Sequence, residues 1–188
     1  MEKLKQKILT EGRVLPNNVL KVDSFLNHQL DPAFLLEIGR EFAKRFSSFN
    51  PSKILTVEAS GIALALMTGY ILNIPVVFAK KRRGTIPENF FYAKIFSYTR
   101  QENIFITVDR KYLGQKDRIL IIDDFLATGE ATRGLVEIIK ASGATLVGIG
   151  IAIEKSFQAG ANYLSKLGVP SESLVKIKSL ENGKITFL

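Results

Sequence analysis

Two adjacent carboxylates, Asp123 and Asp124, follow a run of four apolar residues, Ile119-Leu-Ile-Ile122, and precede the small-residue turn Ala127-Thr128-Gly129 and then Glu130-Ala131. Four apolar residues in a row predict a strand buried on both faces of a parallel sheet, so the acids emerge at its carboxyl end, where open α/β sheets bind ligands. Small residues let backbone N–H groups approach a ligand closely. A helix beginning near Glu130 adds the positive end of its dipole, so the stretch from Ala127 to Ala131 favours a phosphate. Carboxylates are poor partners for phosphate but good ones for vicinal hydroxyls or a hard cation. One strand therefore offers a hydroxyl reader beside a phosphate cradle, the chemistry of a sugar phosphate. The plainer reading, in which the acids cap the next helix, uses one of them and leaves its neighbour at a strand end unexplained.

The elements that must position these groups follow from periodicity. Asp31-Pro32 predicts a capped helix start, with Phe34, Leu35, Ile38, Phe42 and Phe46 at helical spacing and an end before Asn50-Pro51. A short helix is expected over Leu4 to Leu9. Ile54 to Val57 reads as a buried strand, followed by the turn Glu58-Ala-Ser-Gly61 and an apolar helix to about Tyr70. Ser60 and Gly61 in that turn are expected to form a second anion site facing the first. Two facing anion sites suit a substrate phosphorylated at both ends. Pro75 to Ala79 predicts a further strand, with Lys80-Lys-Arg-Arg83 at its end, and Phe91 to Thr99 with Asn103 to Val108 predicts a two-stranded ribbon. Beyond Ala131 the pattern predicts a helix to about Ser142, a strand over Thr145 to Ile153, a helix to about Leu167 and a strand near Leu174 to Ile177. Strands alternating with helices argue a parallel α/β sheet with right-handed crossovers.

A length of 188 residues with 46% apolar content suits one domain with its own core, and neither a repeat nor a linker divides the chain. There are no cysteines and one histidine, His28, so disulfides, thiolate metal sites and multi-histidine zinc sites are excluded. His28 is expected to be a hydrogen-bonded structural residue rather than a catalyst. No apolar run approaches the roughly 20 residues of a membrane span, and the charged start Met1 to Lys7 lacks a signal-peptide core behind it, so a cytoplasmic protein without membrane contact is expected. The net charge of +8 predicts an acidic ligand. A polyphosphorylated small molecule satisfies that field, and no nucleic-acid-binding motif is readable.

The stretch from Ile119 to Ala131 resembles the phosphoribosyl-pyrophosphate (PRPP) motif of the type I phosphoribosyltransferases. Leu20 to Gln29 and Glu154 to Gln158 are similar to the bacterial xanthine phosphoribosyltransferases, a similarity spanning essentially the whole chain. The resemblance implies a Rossmann-like parallel sheet flanked by helices, residues 31–188, with a small hood from residues 1–30. It implies a purine salvage enzyme that uses PRPP and xanthine, carries magnesium with PRPP, assigns no metal ligand directly, and forms a homodimer. Leu20, Asn27 and Lys155 would bind xanthine; Ala127, Thr128, Gly129, Glu130 and Ala131 would bind the 5-phosphate; Asp123 and Asp124 would be the catalytic acids. It further implies that Glu58 to Gly61 is a pyrophosphate loop and that Gly84 to Phe91 forms a lid after the basic run. The chemistry of Lys155 points the same way, since an ammonium rewards an acidic base with an additional carbonyl; without the resemblance, a solvent-facing lysine after a strand is the plainer reading. Ala127 stands where the hypoxanthine-guanine enzymes place an acid, so no general base is assigned. The rival readings are adenine as the acceptor, and a PRPP-sensing regulator that binds nucleic acid.

Overall fold

The computed structural model describes residues 1–97 and 102–188. An eight-stranded mixed sheet forms its centre, built from β3 (Lys53–Val57), β4 (Val76–Arg82), β5 (Phe90–Ser97), β6 (Glu102–Asp109), β7 (Arg118–Leu126), β8 (Thr145–Lys155), β9 (Ser171–Ser179) and β10 (Thr186–Phe187) in the order β10-β9-β8-β7-β3-β4-β6-β5. The five central strands, β9 to β4 in that order, are parallel, and antiparallel strands close both ends. Helix α2 (Pro32–Phe46) and helix α3 (Gly61–Leu72) cover one face, while α4 (Glu130–Ser142) and α5 (Ala159–Lys166) lie on the other, giving two apolar cores. The Asp31 side chain accepts the backbone N–H of Phe34 at 3.1 Å, the cap expected from the Asp-Pro pair. Among the described residues no helix is long and apolar enough to cross a membrane.

The first 30 residues contribute helix α1 (Glu2–Glu11), a two-stranded ribbon of β1 (Arg13–Leu15) and β2 (Val19–Lys21), and a π-helical turn, Asp23–Asn27. Leu4 and Ile8 of α1 and Leu20 of β2 are buried in the same core as α2 and α3.

Chain order sets where a ligand can enter. From β3 the chain runs outward to β4, and the next parallel strand, β7, lies on the opposite side of β3. Connections therefore diverge between β3 and β7, the point where open α/β sheets form a crevice at their carboxyl ends. Pairing of β3 with β7 ends at Leu55 and Ile121, yet β7 continues to Leu126 because β8 still pairs with it there. Asp123 and Asp124 thus sit inside β7, along an edge that β3 has already left.

Two expectations are corrected, and a third lies outside the described residues. The strand predicted to end at Ala79 continues through the basic residues, since Lys80, Lys81 and Arg82 pair with Thr107, Ile106 and Phe105 of β6. Gly84 to Phe91 is not placed as a lid: Phe90 and Phe91 open β5 opposite Asp109 and Val108, so this segment carries the chain away from the crevice to the opposite end of the sheet. Ile95, Phe96 and Ile104 of the β5–β6 ribbon border the crevice instead. Thr99, assigned above to the first ribbon strand, lies outside the described residues.

Candidate active site

At the crevice a cavity of about 260 Å³ is bounded by the loop after β3, the ends of β4 and β7, the β5–β6 ribbon and the start of α4. Asp123, Asp124, Glu58, Ser60, Lys81 and Glu130 supply its polar groups. The Asp123 carboxyl is 2% exposed and accepts the Asp124 backbone N–H at 3.1 Å. Burial raises its pKa well above the ordinary carboxylate range, and the charge of Asp124 raises it further. Asp124 is half-buried and is also raised by burial; its Oδ2 accepts the Asn27 side-chain amide at 3.3 Å. Neither acid caps α4, whose N-cap is Gly129 without a side-chain bond.

Gly61 is what allows Asp123 and the first turn of α3 to share this space. A Cβ at position 61 would overlap Thr56 Oγ1 and stand 2.7 Å from Asp123 Oδ1. The loop before it contains a cis peptide between Glu58 and Ala59. The Glu58 carboxylate accepts the Lys81 backbone N–H at 2.6 Å, tying this loop to β4. Strand alternation separates the basic run: Lys81 lines the cavity, whereas Lys80 lies over the Phe78 ring and Arg82 over the Phe90 ring. The spacing of two was legible in the sequence, but the continuation of β4 through Arg82 was not.

Ala127, Thr128, Gly129, Glu130 and Ala131 line an adjoining hollow of about 110 Å³ together with Phe96 and Phe125. Gly129 adopts φ 87°, the left-handed conformation that turns the chain into α4. The Glu130 carboxylate accepts the Phe96 backbone N–H at 3.3 Å, linking the start of α4 to the ribbon. Phe125, which sequence reasoning passed over, lines both hollows directly after the acid pair.

The base-binding residues expected from sequence are only partly together. Lys155 is 9% exposed, its ammonium donates to the Asn18 carbonyl at 2.9 Å, and it lies 5.8 Å from the centre of the Phe125 ring. Burial lowers its pKa. Asn27 joins Asp124 and borders a third hollow of about 410 Å³, lined mainly by apolar side chains between α2 and α3. Leu20 belongs to the core and lines none of these hollows. His28 is exposed at the rim of the apolar hollow, and its backbone N–H donates to Asp23; the expected side-chain bond is not among its contacts.

The site can hold a sugar phosphate: backbone donors at 127–131, carboxylates for hydroxyls beside them, and Lys81 of β4 on the cavity wall. The donor set also decides how a metal would fit. Two adjacent carboxylates suit magnesium only in a shell completed by substrate phosphate oxygens and water.

Comparison with known proteins agrees with this geometry. The family model for the phosphoribosyl transferase domain matches residues 26–173. The chain is 56% identical to xanthine phosphoribosyltransferase of Moorella thermoacetica, over 100% of this chain and 96% of that protein. It is 52% identical to the protein of the same name from Bacillus licheniformis, over 100% of this chain and 97% of the other. Among solved structures, adenine phosphoribosyltransferase of Giardia lamblia with 9-deazaadenine superposes with a TM-score of 0.76 at 19% identity, covering 92% of this chain and 97% of that one. The enzyme of Thermoanaerobacter pseudethanolicus gives 0.74 at 18% identity, covering 92% and 99%. These structures share the fold; the match over residues 26–173 and the full-length identity show that the chain belongs to the phosphoribosyltransferases.

Proposed function

We propose that this protein transfers the 5-phosphoribosyl group of PRPP to N9 of xanthine, giving xanthosine 5′-monophosphate and pyrophosphate. The observation that carries the reading is 56% identity along the whole chain to a protein named xanthine phosphoribosyltransferase. The bond from C1 of the ribose to pyrophosphate breaks with its electron pair leaving on the pyrophosphate, positive charge develops on C1 and the ring oxygen, and N9 of xanthine, entering as the anion with its proton already lost to water, closes the new bond. The 127–131 turn holds the 5-phosphate, Asp123 and Asp124 hold the ribose hydroxyls, and the Ser60–Gly61 turn with Lys81 holds the departing pyrophosphate. Magnesium carried with PRPP would supply neutralising charge to the pyrophosphate, with Asp123 and Asp124 as the carboxylates beside it.

Lys155 and Asn27 recognise the base, with Leu20 supporting the ribbon from the core. Burial of Lys155 beside Phe125 supports this assignment, since a partly desolvated cation discriminates strongly for a carbonyl oxygen or an anionic base. Residues 1–30 act as a hood over a 31–188 core within one domain. The enzyme works in the cytoplasm on small molecules and forms a homodimer. Helix α3 supports the dimer: Leu66, which borders the apolar hollow, and Tyr70 one turn further on are 54% and 77% exposed. The test is pyrophosphate release from PRPP and magnesium with xanthine, hypoxanthine, guanine and adenine supplied separately. Preference for xanthine is expected; preference for adenine refutes the base assignment, and no release with any base refutes the activity.

A further inference from the structure

We infer that Thr56 is a positioning residue for Asp123, its hydroxyl donating to that carboxylate when Asp123 engages the ribose hydroxyls. The inference rests on the activity proposed above. Thr56 is fully buried, and its Oγ1 has no hydrogen-bond partner among the described residues. A buried hydroxyl without a partner is costly, so its presence on a central strand needs a reason. Its surroundings supply one. Beyond Leu55 and Ile121 the strands β3 and β7 part, and Gly61 lies in the gap, with Thr56 Oγ1 and Asp123 Oδ1 both against the position its missing side chain would occupy. The two oxygens therefore face each other across space that only a glycine leaves open.

Asp123 needs such a donor. Its carboxylate is buried and accepts one backbone N–H, that of Asp124, while a buried carboxylate held ionised normally accepts two or three bonds. The neighbouring Asp124 accepts the Asn27 amide and shares a side-chain hydrogen bond with Asp123, a bond that lasts only while one of the two acids keeps a proton, and Lys81 across the cavity acts on Asp123 through its charge, so an ionised pair leaves Asp123 without a side-chain donor. A small rotation of Asp123 toward Thr56 closes a hydroxyl-to-carboxylate bond and fixes the side chain for its substrate.

The test compares Thr56→Val and Thr56→Ser with the parent enzyme, measuring kcat, KM for PRPP and Tm. Valine matches threonine in shape and puts a methyl group where the unpartnered hydroxyl was, so Tm should stay the same or rise. The inference expects kcat to fall about tenfold or more in Thr56→Val, with KM for PRPP changed less than threefold, and recovery of most of kcat in Thr56→Ser. A Thr56→Val enzyme with parental kcat overturns the inference, as does a loss that serine fails to restore. If the parent enzyme itself releases no pyrophosphate with any purine, the activity fails first and the role of Thr56 falls with it.

Discussion

Replacing Gly61 by alanine tests how tightly the acid site is built. The added methyl would overlap Thr56 Oγ1, stand 2.7 Å from Asp123 Oδ1 and lie 3.6 Å from Asp123 Cα. Backbone on one side and a fully buried strand residue on the other leave the Asp123 side chain as the group that can move. Overpacking of this kind costs about 1–3 kcal/mol. For a chain of 188 residues, each kcal/mol lowers Tm by roughly 2–4 °C, so a fall of several degrees is expected. The catalytic cost should be larger than the stability cost. A displacement of about 1 Å in a substrate-positioning group can reduce rate on the order of 100-fold, and the methyl forces a shift on that scale. Thermal unfolding and steady-state pyrophosphate release on the same preparation separate the two effects. A Gly61→Ala protein with parental kcat and parental Tm would refute the claim that Gly61 exists to admit Asp123.

Other expectations follow from the same geometry. Asp124→Asn should lower kcat by roughly 10- to 100-fold, the worth of one or two charge-assisted hydrogen bonds, while the circular dichroism spectrum stays native; full activity would remove Asp124 from the mechanism. Asp123→Asn should abolish turnover yet stabilise the protein at neutral pH. Because the folded-state pKa of Asp123 is raised, its contribution to stability is present below the ordinary value of 3.8 and is lost as pH rises through the raised value. The Tm advantage of the asparagine variant should therefore shrink as the pH is lowered toward 4, and a constant advantage would contradict the burial argument. Lys155→Met should raise KM for xanthine by roughly 10- to 100-fold and that for hypoxanthine by less, read from parallel kinetics on the two bases; equal losses on both would show that Lys155 serves the ribbon through Asn18 rather than the base.

Much of this protein was legible from residue types and local spacing. The apolar run before Asp123 and Asp124 named a central strand, the Ala-Thr-Gly stretch named a turn into a helix, and the Asp31-Pro32 pair named a helix start, because each rests on interactions within a few residues. Other features needed the tertiary structure, because they depend on partners distant in the chain. That β4 runs on through Lys81 follows from its pairing with β6, and only this sends Lys81 into the cavity while Lys80 and Arg82 turn away. The placing of Gly84 to Phe91 away from the crevice follows from the register of β5 on β6. Burial of Leu20 in the core, the hold of Lys155 on Asn18 and the meeting of Thr56, Gly61 and Asp123 likewise join segments separated by many residues. Local pattern determined which elements form and which of them carry chemistry; strand order and register, set by the packing of the whole sheet, decided which side chains meet.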